Sequence, residues 1–373
     1  MGPALSWIED PIQGYRLVLI EEKSHFNHVF AFPRASVISG FEHELFIPYD
    51  NVFSGDETIG KVVRARASAI HEDYVELDRD VPGFGKRVDY AYLVYCAGTK
   101  IPAPGRFNDL HTKEEGIAAL KRYQKAIEQS ERPVVIGAGA VGLELAAEIK
   151  EHYPEKHVTL LHSRTRYLPR YKVSMDVMIY NTLKKTGVKQ VLGDRVILPP
   201  GGFPLEVKPI DIHTQGGKTI QGDLAIMCIG MTPNSDLLRK FSPKTINEKT
   251  GFVKIKNTMQ IQDDRFQHIF AVGDVADHTD VKTGHYAWMQ GLAALTNIKK
   301  LISGAKQEEL EPYKSKDLAL IKLILGQATV MQTHVLGPLV TVGSWIAGRS
   351  IPHNVYATAN AGILKASPED LLK

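Results

Sequence analysis

The sequence has little cysteine, and the two cysteines it has are not placed for redox chemistry. Cys96 and Cys228 lie far apart, and neither belongs to a C-x-x-C or C-x-x-x-x-C pair. This excludes a disulfide scaffold and a tandem redox pair of the kind that disulfide reductases use. The sequence also lacks an apolar run near the ~20 residues that cross a bilayer, and it lacks a secretory signal. These absences predict a cytoplasmic protein.

Two further functions are excluded by what the charge pattern and the histidines lack. The net charge is +3 and the basic residues are scattered, so no nucleic-acid partner is expected. The histidines have no metal-ligand spacing with cysteine or aspartate, so no metal centre is expected. Neither a Gly-x-Ser-x-Gly elbow nor a Walker loop is present.

Short apolar strands and amphipathic helices alternate along the chain. Strands are predicted at 15–21, 92–99, 133–136, 157–162 and 268–274, with β-type alternation at 61–77 and a hairpin formed by 206–215 and 218–228. Helices are predicted at 113–130, 141–152, 174–186 and 286–302. Thr112 begins the first helix with a capping box, while Ser174 and Gly187 are expected to begin and end the third. This order predicts an α/β fold.

A Gly137-x-Gly139-x-x-Gly142 loop follows the strand at 133–136 and opens the next helix. The first glycine allows a tight turn, the second allows the backbone to approach a diphosphate, and the third allows close helix–strand packing. The helix N-terminus then offers free N–H groups to the phosphates. The pattern in this context predicts a nicotinamide dinucleotide site, whereas a glycine turn without a ligand is the alternative.

The strand after this loop ends in basic residues instead of the acid that grips the ribose of NAD. His162, Arg164 and Arg166 favour the 2′-phosphate of NADPH, although they are equally compatible with solvated surface charge, and both cofactors remain open. Glu144 follows in the first turn of the loop helix, where the helix dipole alone would favour an acid. It is also within range of a nicotinamide carboxamide.

A second dinucleotide site is indicated elsewhere in the sequence. Gly273 and Asp274 end a strand, where a carboxylate can accept hydrogen bonds from a sugar or ribityl hydroxyl group. Glu21 also ends a strand, at the position of a ribose-binding acid. Gly98 and Gly230 are strand-end glycines that each follow a cysteine by two positions. Both cysteines are interpreted as small core residues.

Taken in order, these segments resemble the pyridine-nucleotide flavoprotein reductases with two dinucleotide-binding domains. The resemblance is closer to the apoptosis-inducing-factor-like and ferroptosis-suppressor-like group. The similar segments are Leu19-Ile20-Glu21, Arg34-Ala35-Ser36-Val37, Cys96-Ala97-Gly98-Thr99, Gly137 to Glu144, Ala146 to Lys150, Tyr153 to Lys156 and Ala271-Val272-Gly273-Asp274. It implies two Rossmann-like, three-layer domains with parallel sheets and a small C-terminal α+β domain. The expected bounds are 1–104 with 235–303 for FAD, 105–234 for NAD(P)H and 304–373 for the C-terminal domain.

The resemblance also implies cofactors, an acceptor and residue roles. Hydride would pass from NAD(P)H to FAD, and electrons would then pass to a quinone or a similar small molecule. Glu21 would hold the FAD ribose, Arg34 and the backbone at Val62 would contact the flavin nucleotide, Asp274 would bind the ribityl chain, and Glu144 would lie by the nicotinamide. Gln290 lies in a segment, Trp288 to Gly291, that matches the helix beside the flavin in quinone-reducing relatives. No residue is expected to act as a proton-transferring catalyst in the hydride step.

One departure from this family leaves an alternative. Family members carry a strand and a glycine-rich FAD loop before the strand that ends in Glu21, and residues 1–14 hold no such loop. Without that strand a gap in the sheet is expected. A shortened sequence is the preferred explanation, and a flavin-deficient NAD(P)H-binding or sensing protein is the alternative. Apolar segments at 318–325 and 335–347 are candidates for peripheral contact with a membrane or lipid droplet, or for core.

Overall fold

The fold is described from a computed structural model for residues 7–315, 320–334, 338–344, 355–367 and 369–372. The helices of this part are α1 Phe32–Ala35, α2 Lys113–Gln129, α3 Ala140–His152, α4 Val173–Thr186, α5 Asp236–Phe241, α6 Gly284–Ile302 and α7 Ala357–Ile363. The strands before α2 are β1 Leu17–Glu21, β2 His25–Asn27, β3 Phe46–Pro48, β4 Gly60–Arg64, β5 Ala67–Ile70, β6 Tyr74–Val81, β7 Gly85–Asp89, β8 Leu93–Tyr95 and β9 Thr99–Lys100. The later strands are β10 Pro133–Ile136, β11 Thr159–His162, β12 Lys189–Leu192, β13 Ile210–His213, β14 Thr219–Gly222, β15 Leu224–Met227, β16 Thr232–Pro233, β17 Val253–Lys254, β18 Ile269–Ala271, β19 Ala276–Asp277, β20 Ile321–Leu325, β21 Ala328–His334 and β22 Leu339–Val342.

The inserted half, from α2 to β15, is built on one continuous parallel sheet. Its strand order is β12-β11-β10-β15, which is the doubly wound arrangement. Helices α3 and α4 cover one face, where Leu143, Ile149 and Ile179 are fully buried. Because β10 lies in the middle and all four of its residues are buried, it reads as an uninterrupted apolar run. The predicted Rossmann unit is confirmed here.

The first half, which comprises β1 to β9 and β17 to β19, contains two longer pairs of parallel strands and the two-residue parallel pair β17–β19. Strand β1 pairs with β4, and β8 pairs with β18, but these pairs are not hydrogen-bonded to one another in the described part of the chain. The two pairs are therefore separated by the gap in the sheet that the sequence predicts. All five residues of β1 are half-buried, so the strand predicted at 15–21 forms over Leu17–Glu21 but is not buried on both faces. A three-stranded antiparallel sheet, β5-β6-β7, completes this half.

The C-terminal part packs on the inserted half through the antiparallel sheet β20-β21-β22. Leu323, Ile324 and Leu325 are almost completely buried, because β20 lies against helix α3. These side chains therefore cannot touch a lipid surface, which corrects the predicted docking through that end of 318–325. Residues 316–319, 335–337 and 345–350 lie outside the described residues. Within the described ranges, no helix combines the length and the apolarity needed to cross a membrane.

Three local predictions need correction or refinement. Helix α4 begins at Val173 after Lys172, and the Ser174 hydroxyl bonds to Thr341 Oγ1 at 2.8 Å instead of capping the helix. The expected strand 218–228 is two strands, because Asp223 turns the chain by accepting hydrogen bonds from the backbone of Glu131 and Arg132. The alternation at 61–77 likewise divides among β4, β5 and β6. By contrast, the Thr112 capping box and the Gly187 helix end are confirmed.

Candidate functional site

The glycine loop between β10 and α3 uses its three glycines for different purposes. A Cβ on Gly142 would lie 1.8 Å from the Gly137 carbonyl oxygen, and one on Gly137 would lie 2.5 Å from the Cys228 carbonyl oxygen. Gly137 also has φ +102°, which side-chain-bearing residues rarely adopt. A Cβ on Gly139 would meet nothing within 4 Å. Two glycines therefore serve the packing of the protein itself, while Gly139 faces open space.

The open space at Gly139 lies at the N-terminus of helix α3. Gly139 is the N-cap residue, and no side chain caps the helix there. The first backbone N–H groups of the helix therefore remain for a ligand, and they carry the positive end of the helix dipole. These features fit the diphosphate of a dinucleotide. Gly230, at φ +70° with open space around it, lies beyond β15 at the same edge of the sheet.

His162 ends the neighbouring strand β11 and supports this loop directly. Its Nδ1 accepts a hydrogen bond from the Ala138 N–H at 3.2 Å, so the ring holds the loop between the first two glycines. Burial, and then the charge of Arg164, lower the pKa of His162, which favours the neutral ring that such acceptance requires. Arg164 is exposed at the same edge. Arg166 instead contacts its own domain. It donates a hydrogen bond to the Tyr171 carbonyl at 3.0 Å, and its Nε lies 3.7 Å from the Asp176 carboxylate.

Glu144 lies in the second turn of α3, because the helix begins at Ala140, so its placement in the first turn is wrong. The carboxylate is buried, and its Oε1 accepts a hydrogen bond from the Ile324 N–H of β20 at 3.0 Å. Burial raises the pKa of this carboxyl to about 8. The structure thus places Glu144 against the C-terminal sheet, and its contact with a nicotinamide stays a prediction.

Arg34 is held by contacts with two other parts of the protein. Its guanidinium forms an ion pair with Glu148 of helix α3 at 2.9 Å and donates to the Gly326 carbonyl at 3.1 Å. Burial raises the pKa of Glu148 although Arg34 opposes that shift. Arg34 therefore joins the first half, helix α3 and the turn between β20 and β21. Its contact with a flavin nucleotide stays a prediction.

A cleft lies at the edge of the β1–β4 pair. Glu21 ends β1, and its Oε1 accepts the Lys23 N–H at 3.0 Å. Burial raises the pKa of Glu21, and Tyr49 hydrogen-bonds to the same carboxyl. Lys23 and Tyr49 line this cleft of about 290 Å³, together with Val62, Arg64 and the acids Asp50 and Glu57. The cleft offers an aromatic ring and charged side chains of both signs, and the contact of Glu21 with an FAD ribose stays a prediction.

The edge of the β8–β18 pair carries the second set of predicted residues. Tyr95 and Ala271 are register partners, so Gly98 and Gly273 follow the two strands at one edge. Gly273, at φ +76°, donates its N–H to Gln290 Oε1 at 2.8 Å, and Asp274 is half-buried beside it. Gln290 is itself buried, so it positions this turn from beneath instead of facing a ligand.

Sequence reasoning missed the residue that holds Gln290. Asp280 is buried and accepts hydrogen bonds from Gln290 Nε2 and Tyr313 OH, both at 2.9 Å, and from the Ser315 hydroxyl. His278 Nδ1 lies 3.1 Å from the same carboxylate. Burial alone would raise the pKa of Asp280, but these donors lower it. No motif marks Asp280, because its partners come from three separate segments.

Comparisons with known proteins agree with this geometry. The family described as pyridine nucleotide-disulphide oxidoreductase matches residues 8–291. Fe-regulated protein 8 of Mycosarcoma maydis is 34% identical over 359 residues, which cover 89% of this chain and 85% of that protein. Ferroptosis suppressor protein 1 of Taeniopygia guttata is 30% identical over 317 residues, which cover 82% of this chain and 78% of that protein.

Solved structures share the fold at low sequence identity. The sulfide:quinone oxidoreductase from Aquifex aeolicus has a TM-score of 0.70 at 17% identity, and the match covers 96% of this chain and 87% of that one. An NAD-dependent persulfide reductase from A. fulgidus has a TM-score of 0.66 at 21% identity, covering 89% and 62%. The chain belongs to the pyridine nucleotide-disulphide oxidoreductase family, within its apoptosis-inducing-factor-like and ferroptosis-suppressor-like group, and it is an oxidoreductase with FAD and NAD(P)H as cofactors.

Proposed function

We propose that this chain passes electrons from NAD(P)H, through FAD, to a quinone-type acceptor. The observation that carries the proposal is the open space at Gly139 above an uncapped helix N-terminus. The domain bounds 1–104 with 235–303, 105–234 and 304–373 belong to the same proposal. They assign the Glu21 and Gly273 edges to FAD and the Gly137–Gly142 loop to NAD(P)H.

The residues of the chain act by binding and orientation. FAD supplies the two-electron chemistry when it is bound. The Gly139 loop fixes the diphosphate of the nicotinamide cofactor, and His162 keeps that loop in place through Ala138. Asp280 and Gln290 hold the Gly273 turn, at which Asp274 is proposed to bind the ribityl chain. Holding two reactants in fixed positions removes much of the entropic cost of their meeting.

The class of acceptor is supported by the cysteines. Cys96 and Cys228 come from different halves of the chain and do not form a sequence pair of the disulfide-reductase kind. A solved structure with the same fold is that of a sulfide:quinone oxidoreductase, although its identity of 17% supports the fold alone. A quinone accepts two electrons without a cysteine pair on the protein.

Purified protein supplied with FAD tests this proposal. We expect a yellow protein that oxidises NADPH when a water-soluble quinone is added, and that is inactive on a disulfide substrate. NADPH binding without turnover in the presence of FAD would favour the flavin-deficient binding protein. Absence of NADPH and NADH binding would refute the nucleotide site itself.

The basic residues that follow β11 support NADPH as a cofactor of this chain. No acid ends this strand, and Arg164 is exposed where a 2′-phosphate would lie. An engineered water-forming oxidase of the same fold, solved with NADPH, has five substitutions, of which one removes an aspartate and two introduce arginine. We expect Arg164→Ala to weaken NADPH binding about 10-fold and to leave NADH binding unchanged, as measured by fluorescence titration. Lys189→Ala, at the opposite edge of the same sheet, is the control, and equal losses for both cofactors would refute the role.

A further inference from the structure

Helix α4 exposes a row of large apolar side chains. Val173, Val177 and Tyr180 are 59%, 51% and 40% exposed, and they follow one another at helical spacing. The opposite side of the helix is fixed, because Met175, Ile179 and Leu183 are fully buried in the core of the inserted half. The helix therefore cannot rotate to hide the exposed row. Lys184 continues the same line by one turn, and we refer to Val173, Val177, Tyr180 and Lys184 as the α4 surface.

Positive charge is concentrated around the α4 surface. Residues 164–189 contain three arginines, four lysines and one acid, a net charge of +6 in a chain whose total is +3. Six of these seven basic residues are exposed. The acid, Asp176, is turned inward, where it accepts the Tyr167 N–H at 2.8 Å and lies near Arg166. Within this stretch of the chain the exposed charge is therefore positive, and the stretch includes the apolar row, a concentration that the scattered pattern of the whole sequence hides.

This combination selects one kind of partner. A nucleic-acid site would present cations and polar groups, and exposed valines would gain nothing from phosphates. An anionic lipid surface satisfies both parts, because apolar side chains enter the headgroup layer while lysines extend to the phosphates. We propose that the α4 surface docks this protein on anionic membranes. The proposal is independent of the acceptor and of flavin binding.

Vesicle sedimentation of the full chain tests the proposal. We expect the protein to sediment with vesicles of phosphatidylcholine and phosphatidylserine, to remain in solution with phosphatidylcholine alone, and to be released by salt. Lys184→Glu with Lys185→Glu should lower the binding constant at least 10-fold. The matched control is Lys121→Glu with Lys125→Glu, which makes the same change in net charge on exposed positions of α2. Equal losses in the two variants would overturn the proposal, because they would show an effect of net charge alone.

The contribution of the apolar side chains is tested with a second pair of double variants, one on the α4 surface and one elsewhere. Val177→Ser with Tyr180→Ser should lower vesicle binding about 10-fold, whereas Ile197→Ser with Leu198→Ser should leave it unchanged although those side chains are 53% and 41% exposed. Melting temperature and NADPH binding are measured alongside, and both should be unchanged because neither pair touches the nucleotide site. Unchanged vesicle binding of the α4 variant would overturn the proposal. So would loss of self-association in that variant, or tighter binding of the parent protein to DNA than to vesicles.

Discussion

Both halves of this chain place their proposed nucleotide-binding residues at the ends of parallel strands, but the strands of the two halves lie in sheets of different size. In the inserted half, the glycine loop follows β10, which lies inside a four-stranded sheet and is buried on all four residues. In the first half, Glu21 ends β1, which is half-buried throughout and, within the described ranges, has β4 as its one strand partner. The inserted half owes its shape to its own packing. The first half depends more on contacts that side chains such as Asp280 make between distant segments.

The largest expected effect is in the well-packed half. Gly142→Ala should lower the free energy of unfolding by at least about 3 kcal/mol, because the new Cβ would lie 1.8 Å from the Gly137 carbonyl oxygen. Urea unfolding followed by circular dichroism measures this loss. A near-parental stability would show that this sheet yields more easily than its packing indicates.

Gly139→Ala separates binding from packing in the same loop. The position has φ −74° and a Cβ would meet no protein atom within 4 Å, so unfolding should stay within about 1 kcal/mol of the parent. NADPH binding should weaken at least about 10-fold, because the methyl group occupies the approach of the diphosphate. Fluorescence titration of NADPH measures the affinity. Unchanged affinity in a folded protein would place the cofactor elsewhere.

Asp280→Asn tests the support of the other half. Asparagine keeps one acceptor oxygen where aspartate serves Gln290, Tyr313 and Ser315, so we expect a loss of about 1–3 kcal/mol in stability and weaker FAD binding. FAD binding is measured by flavin fluorescence, and NADPH binding in the same sample should be unchanged. Tyr313→Phe removes one donor and should have a smaller effect. Equal weakening of both cofactors would indicate a general loss of structure instead of local support.

A further effect concerns pH and the contact between helix α3 and the C-terminal sheet. Burial raises the pKa of Glu144 from 4.5 to about 8, so the folded protein retains a proton that the unfolded chain releases. Stability should therefore fall as the pH rises from about 4.5 towards 8. Glu144→Gln still accepts the Ile324 N–H but has no proton to lose, so this decline should shrink. Urea unfolding across the window measures it, and identical slopes would refute the assignment.

The sequence predicted best what local residues determine. The order β10, glycine loop, α3 and β11 follows from apolar runs and glycine spacing, and the Thr112 capping box follows from four adjacent residues. The sequence does not show which distant segments meet at one side chain. The contacts of Glu144 with the Ile324 N–H and of Arg34 with the Gly326 carbonyl join segments that lie far apart in the sequence, while the family roles of both residues stay predictions. Periodicity also cannot show that β1 has one neighbouring strand among the residues that the structure describes.

The hydrogen bonds from Glu144 and Arg34 to the strands around residue 325 have a practical consequence for anyone shortening this protein. Removing the tail after residue 315 would take away the Ile324 partner of Glu144 and the Gly326 partner of Arg34, and it would uncover the face of α3 that β20 covers, while the Arg34–Glu148 ion pair would remain. The shortened protein would thus expose an apolar surface on α3, with the Glu144 carboxyl group in it and no longer hydrogen-bonded to Ile324. A shortened protein would therefore need polar substitutions on the face of α3 that β20 covers.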